Sequence, residues 1–212
     1  AAMLGPPIAA AAEVLALHAV EMPVGIPQFL WLKRVDPSQL QAKKVSLGED
    51  LFRDTLLSAD DSVSCATCHD PTNAYADKHA VAIGISKQAG QRNSPSIFNA
   101  CFSTNQFWDG RANTLEEQAA GPLENPLEMG KQTLSEVAAR VNDNPRYRKR
   151  FSVVYGAEGV NPRTLIDAIV SFERTLLSGD SAFDRFQAGD STAITQSAKR
   201  GWEIFSGKAN CI

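Results

Sequence analysis

Helix-type spacing of apolar residues dominates this chain, and the strict alternation typical of β-strands is scarce. The clearest apolar stripe follows Asn161-Pro162, a pair that is typical of a helix start. Its members recur at intervals of three and four residues and are Leu165, Ile169, Phe172 and Leu176. This spacing indicates one buried helix face. The chain is therefore predicted to be all-α, mostly helical and rich in loops.

Capping residues mark the starts of further helices. Asp36-Pro37 joins an N-cap residue to a first-turn proline, which predicts a helix over residues 39–53. Thr114 and Thr133 each stand three residues before a glutamate, the spacing of a capping box. A last helix is predicted over residues 195–205.

These segments predict three parts: an N-terminal extension at residues 1–35, a domain at 36–180 and the start of a second domain at 181–212. Loops rich in Gly, Pro and Asn interrupt the middle part at residues 70–96 and 121–130. They are too long for simple connectors. We therefore expect them to pack against a large apolar group such as a cofactor.

Charge and hydropathy exclude several classes of function. The 212 residues are 43% hydrophobic, and 21 basic and 24 acidic residues give a net charge of −3, which is no signature of nucleic-acid binding. No apolar run approaches the roughly 18 residues of a membrane span, so no transmembrane helix is predicted. Residues 1–20 lack the basic start of a complete signal peptide and are interpreted as a mature N-terminus or a short Ala-rich helix.

The segment Cys65-Ala-Thr-Cys68-His69 carries the most specific chemistry of the chain. Two thiols one helical turn apart, followed by an imidazole, are typical of a covalently attached c-type haem with His69 as an iron ligand. A redox disulfide would need a βαβ context, which is missing. A zinc site would need a second ligand pair, and the other histidines are only His18 and His79. Haem attachment of this kind indicates the periplasm.

Beyond this motif, the chain resembles the bacterial di-haem cytochrome c peroxidase family, which includes the methylamine-utilisation enzyme MauG. The resemblance runs from about Leu47 to the end of the chain. The matching segments are Leu47-Gly-Glu-Asp-Leu-Phe52, Ser64-Cys-Ala-Thr-Cys-His-Asp-Pro71, Arg92-Asn-Ser-Pro95, Phe98-Asn-Ala100, Gln106-Phe-Trp-Asp-Gly-Arg111, Leu115-Glu-Glu-Gln118 and Glu128-Met129.

The resemblance implies two cytochrome c-like domains, each with one covalently bound haem c. The N-terminal haem would react with peroxide, and the C-terminal haem would supply electrons. Cys211 matches the first cysteine of the second haem motif. We expect the rest of that motif to lie beyond residue 212.

The resemblance also implies roles for three residues of the peroxide site. Glu128 matches the family's distal acid–base carboxylate, Gln118 a distal-pocket amide, and Trp108 the tryptophan between the two haems. Cleavage of the O–O bond needs a proton moved from one oxygen to the other, and a carboxyl group in an apolar pocket suits that transfer. The alternatives are a surface role for Glu128 and core packing for Trp108.

Three further residues have a structural alternative beside the functional one. Arg92 and Arg111 can pair with haem propionates or form a local salt bridge, because guanidinium groups suit carboxylates. The family match makes Asn93 a calcium ligand between the two domains, and its amide oxygen suits that cation. The alternative is an asparagine in a tight turn.

The chain departs from the family at Ile83-Gly84-Ile85. Many members carry a histidine just after the Ile-Gly pair, where it closes the peroxidatic iron until the other haem is reduced. Ile85 cannot bind iron, so we expect an open iron in the oxidised protein, as in MauG-like members. His79 is the other possible ligand, although a histidine in a polar loop is usually solvated. Cys101 is interpreted as a core residue.

Three functions follow from this reading. The first is a periplasmic peroxidase that reduces hydrogen peroxide with electrons from a small c-type cytochrome or cupredoxin; the resemblance suggests a homodimer. The second, which Ile85 favours somewhat, uses peroxide to oxidise a protein or organic substrate. The third is an electron-transfer cytochrome without peroxide chemistry, whose haem spectrum would be entirely low-spin.

Overall fold

A computed structural model describes residues 22–28 and 40–211. In these ranges it has eight α-helices and no β-strand, which confirms the prediction of a mostly helical fold. The helices are α1 (Ala42–Arg53), α2 (Cys65–Cys68), α3 (Leu115–Glu124), α4 (Leu134–Asp143), α5 (Pro145–Tyr155), α6 (Pro162–Glu173), α7 (Ala182–Gln187) and α8 (Gln196–Glu203). The predicted cap at Asp36-Pro37, the Ala-rich start and His18 lie outside the described residues.

Helices α1 and α6 form the central pair. A Cβ at Gly48 of α1 would collide with the carbonyl oxygen of Ala168 in α6, so the two backbones approach as closely as they do only because residue 48 is glycine. Leu51 and Ile169 are almost fully buried in this pair. Each buried side chain of this size contributes about 1.5–3 kcal/mol.

The core extends from this pair to α3, α4 and α5. Its largest fully buried side chains are Tyr147, Phe52, Phe151, Leu47, Leu51, Leu57, Leu123, Leu165, Ile169, Val137 and Val141. All four members of the predicted stripe are buried, although α6 ends at Glu173 and Leu176 lies beyond it.

Two of the predicted caps are confirmed in full. Thr133 and Glu136 form a reciprocal capping box, and Asn161 caps α6 with Pro162 in its first turn. At α3 the match is partial: Thr114 accepts a hydrogen bond from Glu117 N, but the Glu117 carboxylate accepts one from Asn113 N instead of reaching back to Thr114.

Two expectations about helix extent were wrong or incomplete. Residues 121–130 were predicted to be a loop, yet α3 continues to Glu124, because Pro122 sits in its last turn where only one internal hydrogen bond is lost. Helix α5 was not predicted, although Asn144-Pro145 carries the same start signal as Asn161-Pro162 and Asn144 caps it.

The described C-terminal residues form α7, α8 and a π-helical turn at Ile204–Lys208. Phe183 packs edge-on against Trp202, and Trp202 stacks with Phe205. The domain boundary between residues 180 and 181 stays a prediction. Among the described residues, no helix has both the length and the apolar character needed to cross a membrane.

Candidate functional site

Helix α2 is a single turn that presents the two cysteines of the haem motif. Ser64 and Thr67 form a reciprocal capping box at its start. At its end, the backbone N–H of His69 donates to the carbonyl oxygen of Cys65, 2.9 Å away. This one turn places Cys65, Cys68 and His69 in the wall of the same cavity.

The ring of His69 is fixed by two backbone carbonyl groups. Its Nδ1 lies 3.1 Å from the carbonyl oxygens of both Tyr75 and Pro95. A carbonyl oxygen can only accept, so Nδ1 carries the proton and Nε2 keeps its lone pair, the arrangement common in metal-binding histidines. Burial lowers the pKa of His69, which favours the neutral ring that an iron requires.

The two thiols are suited to a stable thioether linkage rather than to redox exchange. Burial raises the pKa of the Cys65 thiol to about 12 and also raises the pKa of Cys68. Neither cysteine forms a disulfide in the described part of the chain. Reactive cysteines show the opposite behaviour, a lowered pKa that produces a thiolate. The redox-disulfide alternative therefore loses support.

The cavity beside α2 has a volume of about 560 Å³, within the roughly 300–1,000 Å³ of cofactor sites. Its wall is mostly apolar near α2, where Phe52, Leu115 and Ile169 contribute. With two thiols, an imidazole that keeps Nε2 free, and a mostly apolar wall, the residues present fit a covalently attached haem. Cys65, Cys68 and His69 would hold it.

Glu173, at the end of α6, is a buried carboxyl group in the same wall. Its Oε2 has no hydrogen-bond partner among the described residues. Burial raises its pKa to about 8, and the nearby guanidinium of Arg174 offsets only part of that effect. Such an atom is expected where a polar group of a ligand or a water completes the site.

Glu128 also lines this cavity and is only partly exposed. Its Oε1 accepts a hydrogen bond from Asn125 Nδ2 at 2.6 Å, while Asn125 Oδ1 accepts one from Leu127 N. Burial raises the pKa of Glu128, although the Asn125 hydrogen bond and the charge of Arg111 oppose that shift. The carboxyl group therefore keeps its proton to higher pH than an ordinary glutamate does, as an acid–base residue in a cavity requires.

Gln118 reaches the same cavity from the middle of α3. One turn later, Pro122 also lines the cavity and has no N–H to donate to the Gln118 carbonyl oxygen. The structure thus brings Gln118 and Glu128 into one cavity with His69.

Trp108 lines the cavity and is 65% exposed among the described residues, which gives no support to the core-packing alternative. Its indole N–H donates to the carbonyl oxygen of Asn93 at 2.9 Å. An exposed tryptophan fixed by a hydrogen bond presents its ring to whatever covers this part of the cavity.

Arg92 and Arg111 flank Trp108 and share one carboxylate. Each donates to a different oxygen of Asp109 at 2.8 Å. The hydrogen bond from Arg92 and then that from Arg111 hold the pKa of Asp109 near 2. Both arginines line the cavity, so the local salt bridge exists and the propionate role stays a prediction.

Asn93 connects neighbouring loops. Its Nδ2 donates to the carbonyl oxygens of Asp77 and His79, at 3.1 and 2.7 Å. Both bonds use the amide nitrogen, which leaves the amide oxygen for a cation or a donor. In the described residues, no group of three or more His, Cys, Asp or Glu side chains could hold a metal ion. Calcium binding at Asn93 stays a prediction.

The structure does not place His79 in the cavity wall. Its Nδ1 lies 2.8 Å from Asp77 Oδ1, and its side chain is 59% exposed. Ile85 is buried, and its backbone N–H donates to the carbonyl oxygen of Glu128. Cys101 is buried in the core as expected. Cys211 is exposed and is not part of this cavity.

Sequence reasoning missed three residues of the site. Asn125 orients Glu128, Glu173 is the buried carboxyl group, and Phe107 packs against Arg111 with its ring 3.4 Å from the guanidinium carbon. A signal existed for Glu173, which interrupts the apolar stripe between Ile169 and Leu176 of the chain. Phe107 stands inside the segment Gln106-Phe-Trp-Asp-Gly-Arg111, whereas no comparable signal marked Asn125.

Comparisons with known proteins agree with this geometry. The family model for di-haem cytochrome c peroxidase matches residues 42–192. The chain is 41% identical over 164 residues to cytochrome c peroxidase Ccp of Escherichia coli, covering 77% of this chain and 35% of that protein. It is 40% identical over 173 residues to methylamine utilization protein MauG of Methylorubrum extorquens, covering 81% and 49%.

Solved structures show the same fold. A MauG-like protein associated with microbial copper homeostasis superposes with a TM-score of 0.73 at 29% identity, covering 90% of this chain and 54% of that one. The diheme peroxidase BthA of Burkholderia thailandensis gives 0.66 at 24% identity, covering 77% and 46%, and shows the fold alone. The chain thus spans about half of the length of these proteins or less. It belongs to the di-haem cytochrome c peroxidase family and has the mostly helical, cytochrome c-like fold of that family.

Proposed function

We propose that this chain is the peroxide-reacting part of a di-haem peroxidase. The observation that carries the proposal is the shared cavity: His69, with Nε2 free to bind iron, and Glu128, with a raised pKa, line the same wall. A carrier cytochrome needs no such carboxyl group beside its haem. When bound, the haem supplies the iron at which the O–O bond is cleaved with two electrons.

Glu128 is proposed to move the proton. The overall reaction joins hydrogen peroxide, two electrons and two protons to give two water molecules. In it, the Glu128 carboxylate takes a proton from one peroxide oxygen and returns it to the other, so that oxygen leaves as water. Asn125 holds the carboxylate in place, and the Gln118 amide is proposed to orient the peroxide.

The remaining assignments concern electrons and assembly. Trp108 is proposed to relay electrons from a second haem c attached at Cys211, because its indole is exposed in the cavity wall and fixed by Asn93. A small c-type cytochrome or cupredoxin is the proposed donor. Calcium is proposed to bind at Asn93. The proposed compartment is the periplasm, where such haems are attached, and a homodimer is the proposed assembly.

A second candidate function is the oxidation of a protein or organic substrate, as in a MauG-like enzyme. One observation favours it: Ile85 is buried against the backbone of Glu128 and carries no group that can close the iron. With no side chain to close the site, peroxide would reach a bound haem before any electron arrives, and the oxidising equivalents would remain for another substrate.

Stoichiometric hydrogen peroxide added to the fully oxidised, full-length protein tests these proposals, with the haem absorption spectrum as the readout. We expect a rapid spectral change. A change only after one electron has been added would mean that some residue closes the iron, against the MauG-like candidate. If the haem spectrum is entirely low-spin, and peroxide changes it neither in the oxidised protein nor after one electron has been added, the chain belongs to an electron carrier and not to a peroxidase.

A further inference from the structure

A second cavity of about 350 Å³ lies next to the cavity beside α2, in which the haem is proposed to bind. The two share part of their walls, formed by Phe107, Arg111, Pro122, Asn125 and Glu128. Glu128 therefore faces both spaces. A partly buried carboxyl group between two cavities is accessible from either one.

The second cavity leads from the surface inward. Arg111, Glu117 and Gly121 line it and are exposed, whereas Glu128 is partly buried. Charged groups at its mouth suit a small polar molecule and protons better than an apolar one. The proposed reaction consumes both.

Phe107 lines both cavities. Its φ is +66°, in the left-handed region that bulky residues rarely adopt. The guanidinium carbon of Arg111 lies 3.4 Å from the centre of its ring, a cation–π contact. On the other side, a Cβ at Gly121 of α3 would lie 3.3 Å from Phe107 Cζ. The ring is thus held between Arg111 and the surface of α3.

We propose that this second cavity is the passage by which peroxide reaches Glu128, and that the Phe107 ring sets the width of the passage and so the size of peroxide admitted. The proposal rests on the proposed function for its substrate. The passage itself is a property of the fold, and it applies to any small molecule that binds the iron.

Two substitutions change the width in opposite directions. Phe107→Ala removes the ring and opens the passage, and Phe107→Leu is the conservative version if the alanine variant does not fold. Gly121→Val adds bulk against the ring and narrows the passage. Gly201→Val is the matched control, because it adds the same group to a helix where a Cβ would meet nothing within 4 Å.

The readout is the rate at which small ligands reach the iron of the full-length protein: cyanide in the oxidised state and carbon monoxide in the reduced state. We expect Gly121→Val to slow both and Gly201→Val to change neither. Phe107→Ala is expected to raise the reactivity with cumene hydroperoxide relative to hydrogen peroxide by about tenfold or more, at the scale of discrimination that small changes in pocket size confer.

The outcomes separate this proposal from the proposed function. If the cyanide and carbon monoxide rates respond as expected but the protein does not react with peroxide, the passage is supported and the proposed peroxidase function is rejected. Rates that are equal in all variants, or a wild-type protein that binds neither cyanide nor carbon monoxide, would overturn the passage.

Discussion

The backbone N–H of Ile85 donates a hydrogen bond to the carbonyl oxygen of Glu128, with 2.8 Å between nitrogen and oxygen. The segment Ile83-Gly84-Ile85 is therefore in direct contact with the backbone of the proposed acid–base residue. A change in that segment is therefore expected to move Glu128, in addition to any effect on access to the proposed iron site. The two effects are separable by substitution.

Gly84→Ala tests the support of Glu128. A Cβ at Gly84 would collide with the carbonyl oxygen of Leu127 and lie within 2.7 Å of the Glu128 backbone. We expect unfolding in urea to show a loss of about 1–3 kcal/mol, the usual effect of overpacking. The peroxide reaction is expected to slow as Glu128 moves. At Gly90 the atom nearest to an added Cβ would be 3.4 Å away, so Gly90→Ala should leave the stability unchanged. An equal loss of stability at the two glycines would contradict this expectation.

Glu128→Gln tests the proton transfer itself. Loss of a general acid–base group typically lowers a rate by about 10²–10⁴-fold, and we expect that loss in the rate constant for peroxide. Glu124→Gln is the control, since Glu124 is exposed and the Gln amide oxygen can still accept the hydrogen bond from Leu134 N. If the two variants react equally fast, Glu128 is not the acid–base residue.

Asn125→Ala is expected to shift the pH dependence of that reaction. The hydrogen bond from Asn125 favours the charged carboxylate, so its removal raises the pKa of Glu128 further above its usual value. The reaction needs the carboxylate to accept a proton. The rate increases as the carboxylate forms, so this increase should occur at a higher pH in the variant than in the wild type. A pH profile that stays in place would show that Asn125 has no electrostatic effect on Glu128.

Glu173→Gln is expected to change the pH dependence of stability. The pKa of Glu173 is raised from an ordinary 4.5 to about 8, so the native state holds a proton that the unfolded chain has released. Stability is then lost as pH rises from about 4.5 to 8. At pH 8 the variant should be more stable than the wild type by about 1–3 kcal/mol, because its uncharged amide does not bear the cost of ionisation in a buried site.

Urea titrations across this pH range provide the measurement. Glu203→Gln, a change at an exposed carboxylate, is the control and should follow the wild type. If the free energy of unfolding changes with pH in the same way in the wild type and in both variants, Glu173 is ionised, or paired, in the holoprotein.

The sequence predicted those parts of the site that are local in the chain. Cys65, Cys68 and His69 occupy one helical turn and its cap, so their spacing alone defines their geometry. The apolar stripe of α6 is predicted equally well, because its spacing repeats over several helical turns. Helix caps at Thr133 and Asn161 were found for the same reason.

The rest depends on contacts between distant segments. The carbonyl oxygen of Pro95, which helps to fix the ring of His69, lies 26 residues from His69 in the sequence. The carbonyl oxygen of Glu128 accepts a hydrogen bond from the N–H of Ile85, more than forty residues earlier. Pro95 and Glu128 contribute only backbone carbonyl groups to these bonds, so the residue types at these positions do not predict them. Phe107 and Gly121 likewise meet only after α3 has packed.

The burial of the two thiols bears on the order in which the protein is made. Addition of a thiol to a vinyl group proceeds through the thiolate, and the folded chain suppresses that form at Cys65, whose pKa is raised to about 12. A folded apoprotein would accordingly be a poor acceptor of haem. We therefore expect haem attachment to be faster before the loops around Cys65 and Cys68 have folded than after.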